Sequence, residues 1–159
     1  MKKSVLIILP AFGFDPSEAA IPWRRLTEAG ERVVFTTPEG RVSAADPHMV
    51  TGEGLDWWGW IPGVRRLKLV GLALRANRDA RTAYQAMLAS PEFKAPIAYS
   101  AVEPEAYDAI LLPGGHLRHM RPYLEDETIQ GWICQCLTPD GNQAAKPVGA
   151  VCHGVLPLA

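Results

Sequence analysis

A nucleophilic side chain follows a short apolar segment in the stretch Gly149-Ala150-Val151-Cys152-His153-Gly154. The apolar residues indicate a buried strand, and the small residues beside Cys152 permit a tight turn from that strand into a helix. Such a turn exposes the thiol at the carboxyl edge of a sheet and at a helix N-terminus, where the helix dipole is expected to favour the thiolate. The stretch therefore predicts an α/β fold with a cysteine nucleophile. A structural cysteine buried under a helix is the alternative.

Upstream of this stretch, apolar blocks alternate with segments of helical period, which is typical of a parallel α/β sheet. Strands are predicted at residues 5–9, 33–36, 107–112 and 147–151, and helices at residues 15–30, 64–89 and 123–137. Residues 41–54 are rich in Gly, Pro and Asp and indicate an irregular or hairpin excursion, and residues 139–142 indicate a turn.

Size and charge define the broad class of the protein. The 159 residues are 48% hydrophobic, which is enough for one core, so residues 1–159 are predicted to form a single domain. The formal net charge of −1 gives no electrostatic reason to expect nucleic acid as a partner. The basic residues between Arg65 and Arg81 lack interleaved aromatics and are interpreted as a solvated helix face.

Two further observations concern the membrane and the cell compartment. No apolar run approaches the roughly 20 residues that cross a bilayer, so no membrane partner is expected. The cysteines Cys134, Cys136 and Cys152 form neither an even disulfide set nor a C-x-x-C pair. This usage fits a reducing compartment and predicts a cytoplasmic location.

Two other segments carry candidate site residues. Glu18 lies near the carboxyl end of the first predicted strand, and beside a thiol its pKa is expected to rise, so that it can transfer protons. An interaction of Glu18 with the dipole of its own helix is the equal alternative. Pro113-Gly114-Gly115-His116 ends a predicted strand, where backbone N–H groups without a neighbouring Cβ can stabilise an oxyanion; a plain glycine turn is the alternative. His153 adds a proton acceptor and a further backbone N–H.

Metal-ligand types and tryptophans occur elsewhere in the chain. His116, His119, Cys134 and Cys136 lack the paired spacing of a structural zinc site, and the last two should face different sides of their helix, so no metal is expected. Trp57-Trp58-Gly59-Trp60 is interpreted as a packed lid or a dimer contact.

Four segments together resemble the PfpI-like superfamily, which has the class I glutamine amidotransferase-like fold. They are Glu18-Ala19-Ala20-Ile21-Pro22, Ser90-Pro91-Glu92-Phe93-Lys94-Ala95-Pro96-Ile97, Tyr107-Asp108-Ala109-Ile110-Leu111-Leu112-Pro113-Gly114-Gly115-His116 and Ala150-Val151-Cys152-His153-Gly154. The second and third segments are most similar to the heat-shock chaperone and glyoxalase III branch.

The resemblance implies a flavodoxin-like three-layer sandwich with a mostly parallel central sheet, usually as a homodimer. It implies Cys152 as the nucleophile, Glu18 as its acidic partner and His153 as the adjacent histidine. It also implies an oxyanion or substrate site at Gly114, Gly115 and His116. Members of the superfamily continue well past the cysteine turn, so this chain resembles the fold without its C-terminal portion.

The function expected from these residues is a glyoxalase III-like conversion of a small 2-oxoaldehyde to a 2-hydroxy acid, without cofactor or metal. Amide or peptide hydrolysis of the PfpI type and a stress chaperone without turnover are the alternatives.

A further expectation concerns the segment after Cys152. A helix of less than two turns is marginal without tertiary support, and a strand as apolar as the predicted one at residues 147–151 needs cover on both faces. A complementary C-terminal chain is therefore predicted to complete the sheet and to supply the acid that orients His153.

Overall fold

The computed structural model describes residues 2–58, 61, 70–138 and 144–159. Its strands are β1 (Ser4–Ile8), β2 (Phe12–Phe14), β3 (Arg32–Thr37), β4 (Ala44–Ala45), β5 (Ile97–Ala98), β6 (Ala109–Leu112) and β7 (Val148–Ala150). Its α-helices are α1 (Pro16–Glu28), α2 (Pro47–Thr51), α3 (Val70–Leu74), α4 (Arg78–Ala89), α5 (Pro91–Lys94), α6 (Arg121–Leu124) and α7 (Glu127–Leu137). Short 3-10 helices cover Tyr99–Ala101, Pro104–Ala106, Arg118–Met120 and Cys152–Leu158.

The central sheet has five parallel strands in the order β5-β3-β1-β6-β7. From β1 the chain first builds one half of the sheet through β3 and β5 and then returns to β1's other side to build β6 and β7. The carboxyl ends of β1 and β6 therefore flank the point where the strand order reverses, which is where ligands bind in open α/β sheets. The predicted α/β class and mostly parallel central sheet are confirmed.

Helices cover the two faces of the sheet and divide its core into two clusters. Ile7 and Leu9 point to the face that packs against α1 and α4, whereas Leu6 and Ile8 point to the face that packs against α7. All four side chains are fully buried, as the continuous apolar run of a central parallel strand requires.

The start of α1 is fixed by a capping residue. The Asp15 carboxylate accepts a hydrogen bond from the Ser17 amide at 2.7 Å, and Pro16 occupies the first turn, where its missing N–H costs nothing. The Asp15 amide donates to the carbonyl of Gly114 at 2.9 Å. The N-terminus of α1 is thereby held against the turn after β6, which places Glu18 at the carboxyl edge of the sheet.

Two predicted segments differ from the structure. Residues 41–54 do not form a hairpin: β4 pairs in parallel with β2, and Asp46 then begins α2 by accepting a hydrogen bond from the His48 amide at 2.8 Å. The single helix predicted at residues 123–137 is divided into α6 and α7, because the Asp126 carboxylate caps a new helix by accepting from the amides of Thr128 and Ile129. In both segments the side chain of an aspartate accepts hydrogen bonds from backbone amides and so begins a helix. The spacing of apolar residues alone did not indicate that helix start.

Some predictions fall on parts of the chain that the structure does not describe. Residues 64–89, predicted to form one or two helices, contain α3 and α4, and residues 64–69 lie outside the described residues. The predicted turn at residues 139–142, together with Gly59 and Trp60, lies outside them as well. Among the helices that are described, none combines the length and apolar character of a membrane span.

Candidate active site

The cysteine turn lies between β7 and the 3-10 helix Cys152–Leu158. Cys152 has a φ of +54°, the one non-glycine positive φ among the described residues. This left-handed conformation costs an ordinary side chain about 1 kcal/mol or more. A 3-10 helix replaces the α-helix that the sequence analysis expected after the nucleophile.

The turn packs directly on the glycine pair that follows β6. A Cβ placed on Gly114 would lie 2.7 Å from the carbonyl oxygen of Val151 and 2.8 Å from the amide nitrogen of His153. Because both neighbours are backbone atoms, neither can move aside easily. A residue without a side chain at this position is what allows the two turns to meet.

Two imidazole rings surround the thiol. The Sγ atom of Cys152 lies 3.4 Å from Nδ1 of His153 and 3.8 Å from Nε2 of His116. The two rings stand edge to face, with their centroids 5.5 Å apart. All three residues are exposed. Either ring is therefore within reach of the thiol proton, and both are open to a small molecule.

Glu18 faces the same thiol from the first turn of α1. One of its carboxylate oxygens accepts a hydrogen bond from the Gly114 amide at 2.8 Å, and the carboxyl interacts with the Cys152 thiol. Partial burial raises the pKa of Glu18, and the negative charge of Asp15 raises it further against the opposing effect of the Gly114 N–H. The direction of this shift is the one that the sequence predicts for a proton-transferring carboxyl.

The expectation that the turn favours the thiolate is wrong. Partial desolvation of the sulfur raises the pKa of the Cys152 thiol, and the carboxylates of Glu18 and Asp15 raise it further. The backbone N–H of His153 opposes these effects without reversing them. The thiol is consequently protonated near neutrality, and its activation requires a base.

The oxyanion donors differ in part from the prediction. The Gly114 amide is occupied by Glu18, so it does not point to a substrate oxygen. Gly115 is buried, and its amide has no acceptor among the described residues. The backbone N–H groups of Gly115 and His153 remain the predicted oxyanion donors. His116, predicted as part of the oxyanion or substrate site, has its Nε2 atom 3.8 Å from the thiol sulfur.

Asp15 is a site residue that the sequence analysis treated only as a helix start. Its side chain is 4% exposed, and its charge acts on both Glu18 and Cys152. The sequence signal for a role in the site was its position between the first predicted strand and the helix that carries Glu18. In the described part of the chain no carboxylate is hydrogen-bonded to the ring of His153, so the acid of a triad stays unassigned.

The remaining candidate residues lie in other surroundings. Cys134 is exposed and Cys136 is buried, which confirms that they face different sides of α7. The ring of His119 packs edge-on against Phe12, with centroids 6.1 Å apart. Trp57 is 80% exposed and stacks edge-on against Trp58, so the packed-lid interpretation is wrong for Trp57, and the dimer-contact interpretation stays a prediction.

Solved structures share this fold. A ThiJ/PfpI domain protein from Brachyspira murdochii has 13% sequence identity and a TM-score of 0.60, over 99% of this chain and 64% of its own. Glyoxalase III from Candida albicans has 18% identity and a TM-score of 0.57, over 98% of this chain and 59% of its own. The Rapid Encystment Protein 24 KDa from Francisella tularensis has 17% identity and a TM-score of 0.57, over 99% of this chain and 61% of its own. The chain thus spans about three fifths of the length of these structures.

The sequence comparisons define the family. Curated protein sequences include no match to this chain. A family model described as ThiJ/PfpI family-like matches residues 9–159, which is nearly the whole chain and includes Glu18, the glycine pair after β6 and the cysteine turn. The chain therefore belongs to the ThiJ/PfpI-like family.

Proposed function

We propose that this chain carries the nucleophile of an enzyme that converts a small 2-oxoaldehyde to a 2-hydroxy acid, as glyoxalase III does. The observation that carries the proposal is the arrangement around one sulfur. The Cys152 thiol has an imidazole nitrogen at 3.4 Å on one side and a carboxyl of raised pKa on the other. This arrangement supplies a nucleophile, a base and a second proton carrier without a redox cofactor.

The first step is addition to the aldehyde. His153 or His116 takes the thiol proton, and the sulfur attacks the aldehyde carbon to form a hemithioacetal. The negative charge that develops on the aldehyde oxygen would be stabilised by the backbone N–H groups of Gly115 and His153. The thiol's raised pKa makes the step dependent on a base, since the thiolate is the reactive form.

The second step moves a proton between adjacent carbons. A base removes the proton from the former aldehyde carbon, and the resulting enediol is reprotonated at the neighbouring carbon, which gives a thioester of the 2-hydroxy acid. Glu18 suits this role because its raised pKa makes the carboxylate a stronger base, and easier to protonate, than an exposed glutamate. Water then hydrolyses the thioester and restores the thiol, so the net reaction consumes the 2-oxoaldehyde and one water.

The test is turnover of methylglyoxal with detection of lactate, run in deuterated water. We expect lactate that carries deuterium on C2, because the enediol is reprotonated by a group in exchange with solvent. Cys152→Ser should abolish turnover, and Glu18→Gln should reduce it about 10²–10⁴-fold. Cys134→Ser, at an exposed thiol outside the site, is the matched control and should retain full activity. Lactate formation that persists in Cys152→Ser would refute the proposal.

The same experiment separates the two alternatives. An amide or peptide hydrolase would need Cys152 but would leave methylglyoxal unchanged. A stress chaperone would use apolar surface instead, and Val155, Leu156 and Leu158 beside the cysteine turn are each more than two fifths exposed. A chaperone function would persist in Cys152→Ser as undiminished suppression of the aggregation of an unfolded client.

A further inference from the structure

The residues around the thiol form a set of metal ligands as well as a set of proton carriers. His116, Cys152 and His153 each direct one ligand atom into a space where all three atoms lie within 4.8 Å of one another. The sulfur-to-nitrogen distances are 3.4 Å and 3.8 Å. In the described part of the chain this is the one group of three such residues.

The two sulfur-to-nitrogen distances are close to those of a tetrahedral zinc site. With Zn–S bonds of about 2.3 Å and Zn–N bonds of about 2.0 Å at a tetrahedral angle, ligand sulfur and nitrogen atoms lie about 3.5 Å apart. The two observed distances fall on either side of that value. Binding of an ion would therefore leave the two sulfur-to-nitrogen distances nearly unchanged.

The chemistry of the ligands selects a class of ion. One thiolate and two neutral imidazoles suit borderline and soft ions such as Zn²⁺, whereas Mg²⁺ and Ca²⁺ prefer oxygen ligands. All three residues are exposed, so an ion can enter, and a fourth position is left to water. The backbone at two of the ligands is held by the contact of Gly114 with the cysteine turn.

We propose that Cys152, His116 and His153 bind one Zn²⁺ ion, and that the bound ion blocks the nucleophile reversibly. On binding, the Zn–S bond replaces the S–H bond and the thiol proton passes to water. The sequence-based expectation of no metal considered His116 together with His119, Cys134 and Cys136, and not together with Cys152 and His153. The binding site is independent of the proposed function. Only its consequence, inhibition of turnover, rests on that function.

The test measures the alkylation of individual cysteines by iodoacetamide, followed by mass spectrometry, with and without Zn²⁺. We expect Zn²⁺ to slow the alkylation of Cys152 at least tenfold and a chelator to restore it, while Mg²⁺ has no effect. Cys134 is also exposed and serves as the internal control in every sample, and its rate should not change. The readout needs no enzyme activity, so it stands even if methylglyoxal is not the substrate.

Variants identify the ligands. His116→Ala and His153→Ala should each lose the protection, measured as the ratio of Cys152 alkylation rates without and with Zn²⁺. His119→Ala removes a nearby imidazole that packs against Phe12 and should keep the protection. With Co²⁺ as the probe, a thiolate-to-cobalt charge-transfer band should appear in the unaltered protein and be absent in Cys152→Ser. Equal protection of Cys134, or protection that survives both histidine substitutions, would overturn the site.

Discussion

At the scale of single residues, the site contains a carboxyl, that of Glu18, whose charged form is disfavoured by its surroundings. Partial burial and the charge of Asp15 raise the pKa of Glu18 above its unfolded value, so the folded state binds this proton more tightly. The contribution of Glu18 to stability is therefore full below the unfolded pKa and is lost as the pH rises through the folded pKa. At neutral pH the charged carboxyl destabilises the fold, as is common for groups placed for chemistry.

Glu18→Gln should consequently raise the Tm at about pH 7–8, and the gain should disappear at about pH 3, where both states hold the proton. The glutamine can still accept the hydrogen bond from Gly114. Thermal unfolding of both proteins across this pH range provides the measurement. Glu28→Gln is the control on the same helix: Glu28 pairs with Arg25 at the surface, so its loss should lower the Tm slightly or leave it unchanged. A lower Tm for Glu18→Gln at neutral pH would show that the carboxylate stabilises the fold.

The sequence predicted which residues meet, but not all of their contacts. Glu18 follows the first predicted strand, and Cys152 and His153 follow the last one. A parallel sheet brings the residues that follow its strands to the same edge. The contact of His116 with the sulfur and the use of the Gly114 amide by Glu18 depend on how closely two turns approach, which no local pattern encodes. The direction of the thiol's pKa shift was missed for the same reason, since it results from desolvation and from carboxylates distant in sequence.

At the scale of elements, the four predicted strands correspond to β1, β3, β6 and β7, whereas the short strands β2, β4 and β5 were not predicted and the helix boundaries were predicted less well. Buried parallel strands such as β1 and β6 are continuous apolar runs, and their ends lie within two residues of the predicted ones. Periodicity could not separate α6 from α7, because the break is made by the side chain of Asp126 and not by a change in apolar spacing.

The backbone strain in the cysteine turn can be measured as a difference in stability between two variants. At a φ of +54° a side chain is strained and glycine is not, so Cys152→Gly should be more stable than Cys152→Ala by about 1 kcal/mol in urea unfolding. Both variants lack the thiol, so the difference reports the backbone alone. The same pair at Cys134, an exposed position within α7, should show the reverse order by about 1 kcal/mol, since glycine weakens a helix. The same order at both positions would argue against strain at the turn.

At the scale of the whole molecule, one face of the sheet is only partly covered. Beside α1, a groove is lined by apolar side chains from β1, β6 and the helix, among them Val5, Pro22, Leu26 and Leu111. Leu111 and Gly149 on this face are half-buried, whereas Ile110 and Leu112 on the opposite face are buried under α7. Parallel sheets are normally covered on both faces, so this groove is an apolar surface without a partner in the described chain.

We propose that the groove receives a polypeptide segment equivalent to the part of the solved relatives that this chain does not match, and that the same segment supplies the acid for His153. The chain spans 59% of glyoxalase III from Candida albicans, which leaves such a segment in that protein. Intact-mass and gel analysis of purified material should reveal a second polypeptide that co-elutes with this one. Leu26→Glu should abolish the association, whereas Leu137→Glu, at an exposed leucine on α7, should not. A single chain of 17.4 kDa that is folded and active alone would contradict the proposal, as would a homodimer formed through the groove.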